Sequence, residues 1–246
     1  RNSLMNIRRM QTDILIIGGG SAGCMAAIRA KEIAPEMNIC IWEKADFKYS
    51  GSIARGMDAL NIVCIPNLSD PDLYLEAIQS GCKGVVDSDP SYVMAQRTYD
   101  LLKKLEKWGV RFIVDKKGNY RTLQYHVKGR FQTAMDEPDL KLILAQKVLE
   151  KNVTILNRIM GISLLKDGDQ ISGAVGMNTR TGELIVSQAK TVILCAGGQA
   201  RFNLPNSGYL YGTFDYPGNS GDGFIMGLDA GAKLTGMEYC SRVNLI

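Results

Sequence analysis

The chain has 246 residues, with 29 Lys and Arg against 25 Asp and Glu, for a net charge of +4 at pH 7. A hydrophobic fraction of 46% with 22% charged residues is the composition of a globular chain that can offset its ordering entropy, which excludes disorder as the main state. No Lys/Arg run exceeds a pair such as Arg8-Arg9 or Lys103-Lys104, and none alternates with aromatics, so nucleic acid is not an expected partner.

The longest uncharged stretch, Ile14 to Ile28, is broken by Gly18, Gly19 and Gly20. It is also shorter than the ~20 residues a membrane helix needs, so no membrane span is expected. Arg1, Arg8 and Arg9 before an apolar run imitate a signal peptide, but Asp13 and the glycine cluster argue against one. The six cysteines (Cys24, Cys40, Cys64, Cys82, Cys195, Cys240) form no C-x-x-C pair, and His126 is the single histidine. Zinc or iron–sulfur ligation needs clustered ligands, so no metal centre is expected, and the setting is read as reducing and cytoplasmic.

In chain order, residues 12–17 form a short apolar run of the kind buried on both faces of a parallel sheet. The glycine-rich stretch Gly18–Gly23 follows, then a small-residue helix from Cys24 to about Ile33, then a second strand from Asn38 to Trp42 closing at Glu43. That is a complete βαβ unit of about the usual 30 residues. Residues 44–66 read as irregular. Helices are expected over Pro71–Gly81 and Pro90–Trp108, capped by Asp70 and by Ser88 or Asp89, with Val93, Tyr99, Leu101, Leu102 and Leu105 as a core-facing stripe. A strand is expected over Arg111–Val114, an amphipathic helix over Asp139–Glu150 and a strand over Val153–Leu156. The β-like runs Ile162–Leu165, Ile171–Met177 and Leu184–Ser187 predict a small β-meander, with turns at Gly168 and Thr181-Gly182. A further buried strand, Thr191–Leu194, ends in Cys195-Ala-Gly-Gly198, and a helix is expected over Phe224–Ala230. No repeat or linker is visible, so one architecture is expected.

The strongest chemical signal is Gly18-Gly-Gly20-Ser21-Ala22-Gly23, a G-x-G-x-x-G pattern after a strand and opening a helix, with acidic Glu43 about 20 residues further on. Gly18 permits a tight turn, Gly20 lets the backbone approach a pyrophosphate, and Gly23 allows close helix–sheet packing. The helix N-terminus carries about half a positive charge, worth roughly 0.3–1 kcal/mol to an anion there. Glu43 can accept from ribose hydroxyls and repels a 2′-phosphate. The fingerprint alone does not separate FAD from NAD. A meander followed by an apolar strand ending in Ala196-Gly197-Gly198 departs from the βαβ repeats of a simple nicotinamide dehydrogenase.

Four segments carry a more specific resemblance: the glycine turn with Glu43-Lys44, the run Ser50–Asn61, the Cys-Ala-Gly-Gly strand end, and Gly221–Ala232 with Met237-Glu238. Together they resemble the fumarate reductase/succinate dehydrogenase flavoprotein superfamily, and the 50–61 run is most similar to its adenylylsulfate reductase flavoprotein (alpha) subunits. The resemblance implies an α/β fold: a Rossmann-like FAD-binding domain with a parallel sheet and a β-meander over 12–246, after an N-terminal extension at 1–11. It implies FAD held by Gly18, Gly20, Ser21, Ala22 and Gly23 at the pyrophosphate and by Glu43 at the ribose. Lys44, Ser50, Gly51 and Ser52 are implied on the flavin side, the Met160 backbone at adenine, and Asp222 as a further FAD contact.

Gly51 stands where covalently flavinylated relatives carry histidine, so FAD is expected to be non-covalent. Val243 stands where a substrate histidine would, which argues against a C4-dicarboxylate. Asn61 and Arg242 are the candidate substrate-side groups for a small anionic substrate, while His126 reads as structural. The resemblance further implies an electron partner, either an iron–sulfur subunit or ferredoxin. It also implies a capping domain and C-terminal part that would follow Met237-Glu238 and are expected to be lacking here, or supplied by a complementary chain. A NAD-dependent dehydrogenase and a non-catalytic flavin-binding subunit completed by another chain are the alternatives.

Overall fold

A computed structural model describes residues 6–124, 128–199, 216, 218–235 and 237. The chain divides into two compact units: residues Arg1–Arg55 with Leu144–Ile246, and residues Gly56–Ile143. No linker marks this division in the sequence, because the second unit is an insertion between the second strand and the third strand of the first unit's parallel sheet.

The first unit is built on six strands: β1 (Ile7–Ile17), β2 (Ile39–Glu43), β6 (Thr154–Asn157), β7 (Ile159–Asp167), β8 (Gln170–Asn178) and β9 (Leu184–Leu194). Their order is β6-β2-β1-β9-β8-β7; β6, β2, β1 and β9 run parallel, and β9, β8 and β7 form an antiparallel meander. The meander strands are longer than the apolar runs that announce them. The two runs expected at 184–187 and 191–194 are one strand, β9, which closes the meander on one side and pairs with β1 on the other. β1 reaches back to Ile7, so residues 7–11, expected to precede the domain, belong to its sheet through the register Ile7↔Leu184 to Gln11↔Gln188. Arg8 and Arg9 hide that stretch from a search for apolar runs, since they are exposed members of a strand.

Helix α1 (Ser21–Ile33) covers one face of this sheet, burying Gly23, Cys24, Ala27 and Ile28 over strand residues that include Ile16 and Ile41. The other face packs Leu15, Ile17, Cys40, Trp42, Ile159, Ala174, Ile185 and Met226 into one cluster. Each fully buried Ile or Leu contributes roughly 1.5–3 kcal/mol. Gly176 makes room for the Trp42 ring, since a Cβ there would lie 2.8 Å from it. Helix α5 (Asp222–Asp229) joins this face through Met226.

The second unit carries a three-stranded sheet in the order β3 (Ala59–Leu60), β5 (Gln132–Ala134), β4 (Thr122–Leu123), with helices α2 (Pro71–Gly81) and α3 (Ser88–Lys107). Asp70 caps α2 as expected, accepting from the Leu73 N–H at 2.8 Å. The start of α3 differs: Asp87 is its N-cap, so Ser88 and Asp89 lie inside the first turn. Its buried stripe is Ala95, Thr98, Leu102 and Leu105, while Val93 is exposed. Small Ala95 and Thr98 set the face here, and an apolarity count passes over them. Thr98 Oγ1 donates to the Ala95 carbonyl at 2.9 Å and accepts from the Val63 and Cys64 N–H groups at 3.1 and 3.3 Å. Arg111–Val114 is not a strand but makes isolated bridges, Phe112↔Met135 and Val114↔Tyr120. Helix α4 (Leu140–Leu149), whose residues from Leu144 onward belong to the first unit, buries Leu140, Leu144, Ala145 and Val148, with Lys141 in the same stripe. Among the described residues no helix is long and apolar enough to cross a membrane.

Candidate functional site

A cleft of about 330 Å³ opens in the first unit at the carboxyl ends of β1, β2 and β9. Its first wall is the turn from Gly18 to Ala22. The Gly18 N–H donates to the Trp42 carbonyl at 2.8 Å and the Cys195 N–H to the Ile17 carbonyl at 2.7 Å, which fixes the turn to both neighbouring strand ends. Gly18 has φ +106°, and a Cβ on it would lie 2.2 Å from the Cys195 carbonyl oxygen. A Cβ on Gly23 would meet the Gly18 carbonyl oxygen at 1.9 Å. These two glycines are therefore required by the protein's own packing.

Gly20 is different. A Cβ there would meet nothing within 4 Å, so the space beside it is open. Gly20 is the N-cap of α1 with no side-chain cap, and the first turn holds no acidic residue. Ser21 and Ala22 are exposed, and the uncapped N-terminus faces the cleft.

Glu43, only 6% exposed, sits at the end of β2 beside this turn. Its Oε2 accepts from the Gly19 N–H at 2.8 Å and its Oε1 from the Ala45 N–H at 2.8 Å, which orients the carboxylate in the cleft wall. Gly51, at φ +87°, brings its backbone against the turn; a Cβ on it would lie 3.2 Å from Gly20 Cα. Gly51 and Ser52 line the cleft. Ser50 lies just behind them, 1% exposed, with no hydrogen-bond partner for its Oγ among the described residues.

The opposite wall comes from the segment before α5. Lys44 Nζ donates to the Gly218 carbonyl at 2.7 Å, to Ser220 Oγ at 3.0 Å and to Asp222 Oδ2 at 2.5 Å. Ser220 Oγ donates in turn to Asp222 Oδ1 at 2.8 Å. Asn219, 7% exposed, seats against Gly197, whose φ of +77° and missing Cβ leave the space its amide fills. Asn219 also donates weakly to Ser52 Oγ at 3.4 Å, and the Gly221 N–H donates to the Gly198 carbonyl at 3.2 Å. Ile17, Trp42, Ile159, Leu194 and Met226 give the cleft an apolar floor.

Burial pushes the Tyr216 phenol above its ordinary value; Glu43 adds to the rise and Arg158 opposes it. Burial likewise raises the Cys195 thiol, aided by Cys24, and lifts Cys40 to about 12 despite Arg8, so these sulfurs stay protonated thiols.

The structure thus brings Gly18, Gly20, Ser21, Ala22, Glu43, Lys44, Gly51, Ser52 and Asp222 to one cleft, with Gly23 and Ser50 packed immediately behind it. Met160 does not line the cleft itself, but its neighbours Ile159 and Gly161 do. Asn61 belongs to the second unit, where its Oδ1 accepts from Gln132 Nε2 at 2.9 Å. Arg242 and His126 lie outside the described residues. Sequence reasoning missed Asn219 and Tyr216, whose only signal is their place in the stretch Pro205–Gly223, rich in Gly, Tyr and Asn. No cluster of His, Cys, Asp or Glu able to hold a metal ion occurs among the described residues.

The cleft fits a dinucleotide on three observations. It has open space at Gly20 over an uncapped helix N-terminus, an oriented buried carboxylate on the same side, and an apolar floor for a ring system.

Comparison with known proteins agrees. The FAD binding domain family matches residues 13–240. The chain is 30% identical to the alpha subunit of adenylylsulfate reductase from Megalodesulfovibrio gigas, over 92% of this chain and 38% of that protein. It is 28% identical to a chain of the fumarate reductase (CoM/CoB) from Methanothermobacter marburgensis, over 93% of this chain and 41% of that protein. The solved adenylylsulfate reductase of Archaeoglobus fulgidus superposes with a TM-score of 0.81 at 27% identity, covering 92% of this chain and 37% of that one. The chain spans about two fifths of the length of the curated relatives it matches. The resemblance carried by the glycine turn, the 50–61 run and the Gly-Asp-Gly segment is borne out, as is the fold of parallel sheet plus meander.

Proposed function

This chain belongs to the FAD binding domain family, and from that premise we propose that it holds FAD non-covalently and serves an oxidoreductase that exchanges electrons with a small anionic substrate. The single observation that carries the reading is the pairing of open space at Gly20 with the uncapped α1 N-terminus and the oriented Glu43 carboxylate in one cleft. The backbone N–H groups of Ser21, Ala22 and Gly23 would take the pyrophosphate, and Glu43 the ribose hydroxyls. The Ser50–Ser52 stretch, the Met160 backbone and Asp222 would complete the contacts. Bound FAD would supply the two-electron chemistry, and the residues here would orient it. Gly51 offers no side chain for a covalent link, which supports non-covalent attachment.

The relatives named for adenylylsulfate and fumarate reduction support the anionic substrate class, with Asn61 and Arg242 as the proposed substrate-side groups. An iron–sulfur subunit or ferredoxin is the proposed electron partner, since the cysteines of this chain lack the close spacing of a cluster site. The domain is proposed to cover residues 12–246, joined by the strand residues from Ile7, and to act in the cytoplasm.

The test uses FAD-loaded protein, reduced anaerobically, to which adenylylsulfate or fumarate is added while flavin absorbance is followed. Reoxidation by an anion, with adenylylsulfate favoured because Val243 replaces a substrate histidine, is the expected result. Reoxidation by neither, with FAD bound, would reduce the reading to a flavin-binding protein without catalysis of its own.

A further inference from the structure

We infer that Lys44 is a positioning residue: its ammonium clasps the Gly218–Asp222 segment into place as the second wall of the cleft, rather than serving as a free cation for the ligand. This rests on the reading that the cleft binds FAD. An ammonium has three N–H donors. In this structure all three are engaged, by the Gly218 carbonyl, Ser220 Oγ and Asp222 Oδ2, and every acceptor belongs to one five-residue stretch. Lys44 is fixed at its own end by β2, which stops one residue earlier at Glu43. The sheet's rigidity therefore passes through a single side chain to a segment some 175 positions away in sequence.

The charges agree with this assignment. Lys44 and Asp222 are each about one quarter exposed, 29% and 26%, so their pairing is partly shielded from water. Asp222 has both oxygens committed, Oδ2 to Lys44 and Oδ1 to the Ser220 hydroxyl. Its carboxylate is thus aimed before any ligand arrives. Without Lys44 the same carboxylate would carry an unpaired charge into a cleft that must accept a pyrophosphate. Lys44 is the only Lys or Arg among the described residues lining the cleft, and Asp222 balances it, which leaves the α1 N-terminus as the attraction for phosphate. Asn219 against Gly197 and Ser52, and the Gly221 N–H on the Gly198 carbonyl, anchor the same segment, so the clasp acts on an element already seated at other points.

The decisive experiment is amide hydrogen exchange on the FAD-free protein, comparing wild type with Lys44→Met and Lys44→Arg. The clasp predicts that peptides covering 218–222 exchange on the order of tenfold faster in Lys44→Met while the glycine turn is unchanged, with Lys44→Arg intermediate. Unchanged exchange at 218–222 in Lys44→Met would overturn the assignment. A second readout is the FAD dissociation constant of Lys44→Met, Asp222→Asn and the double variant. A shared clasp makes the two losses overlap, so the double variant binds about as weakly as the worse single one. Losses that multiply would mean two separate ligand contacts and would contradict the clasp. If wild-type protein binds no FAD, the functional reading fails, and the exchange comparison still decides the clasp.

Discussion

The two walls of the cleft are made in opposite ways. The Gly18–Ala22 wall is nearly all backbone: its shape follows from a positive φ at Gly18, the contact of Gly23 on the Gly18 carbonyl, and hydrogen bonds to the ends of β2 and β9. The Gly218–Asp222 wall is held by side chains, with Lys44, Ser220, Asn219 and Asp222 tying a loop that has little regular structure of its own. The first wall is one glycine-rich stretch of backbone locked to the ends of β2 and β9, and it cannot move without breaking the sheet. The second depends on partners far away in the chain and can be loosened one side chain at a time.

The largest expected effect is on the backbone wall. Gly18→Ala places a methyl 2.2 Å from the Cys195 carbonyl oxygen at a left-handed φ. It should cost on the order of 3 kcal/mol or more and be read as a large fall in the urea midpoint. Gly20→Val makes the complementary case, since nothing in the protein occupies its space. Its thermal midpoint should stay near wild type while FAD retention is lost, as seen in the visible spectrum after gel filtration. Retained flavin in that variant would move the pyrophosphate elsewhere.

Glu43→Ala joins the two properties. It strips partners from the Gly19 and Ala45 N–H groups and should cost about 1–3 kcal/mol of stability, with FAD weakened roughly tenfold or more in a fluorescence titration. On the side-chain wall, Asn219→Ala removes a long 3.4 Å hydrogen bond and the filling against Gly197. It should weaken FAD only about threefold and leave the melting temperature in place. A tenfold loss would mean that Asn219 itself contacts the ligand.

The smallest effect concerns the end of the sheet remote from both walls. Lys190 and the Asn38 N–H hold the Asp13 carboxyl below its ordinary value. A depressed carboxylate stabilises the fold above its unfolded pKa of about 4 and loses that contribution as pH falls through the lower folded value. Lys190→Met should therefore lower stability slightly at neutral pH and flatten its decline in acid, measured by denaturant midpoints at pH 7 and pH 3.

The same contrast explains what can be read from the sequence. The glycine turn, β2, Glu43 and the α5 helix are legible because each depends on residues close together: a short apolar run, a spacing of glycines, an acidic residue at a strand end. The continuity of β9 and the start of β1 at Ile7 are not, because strand pairing, not apolarity, carries Arg8, Arg9, Gln188 and Lys190 into the sheet. The α3 face departs from expectation at Val93 since Ala95 and Thr98 pack where apolarity favours larger residues. The wall at 218–222 is the extreme case. Lys44 and Asp222 each read as facing the ligand, yet their bond to one another spans most of the chain and has no local signature.

The most direct test of the central claim is titration of FAD into deflavinated protein, following the visible band and flavin fluorescence, with NADH titrated in parallel. Saturable binding of one FAD per chain, removable by denaturation and absent in Gly20→Val, is the result this account predicts. Saturable NADH binding with no FAD bound, or FAD binding that Gly20→Val leaves intact, would contradict it.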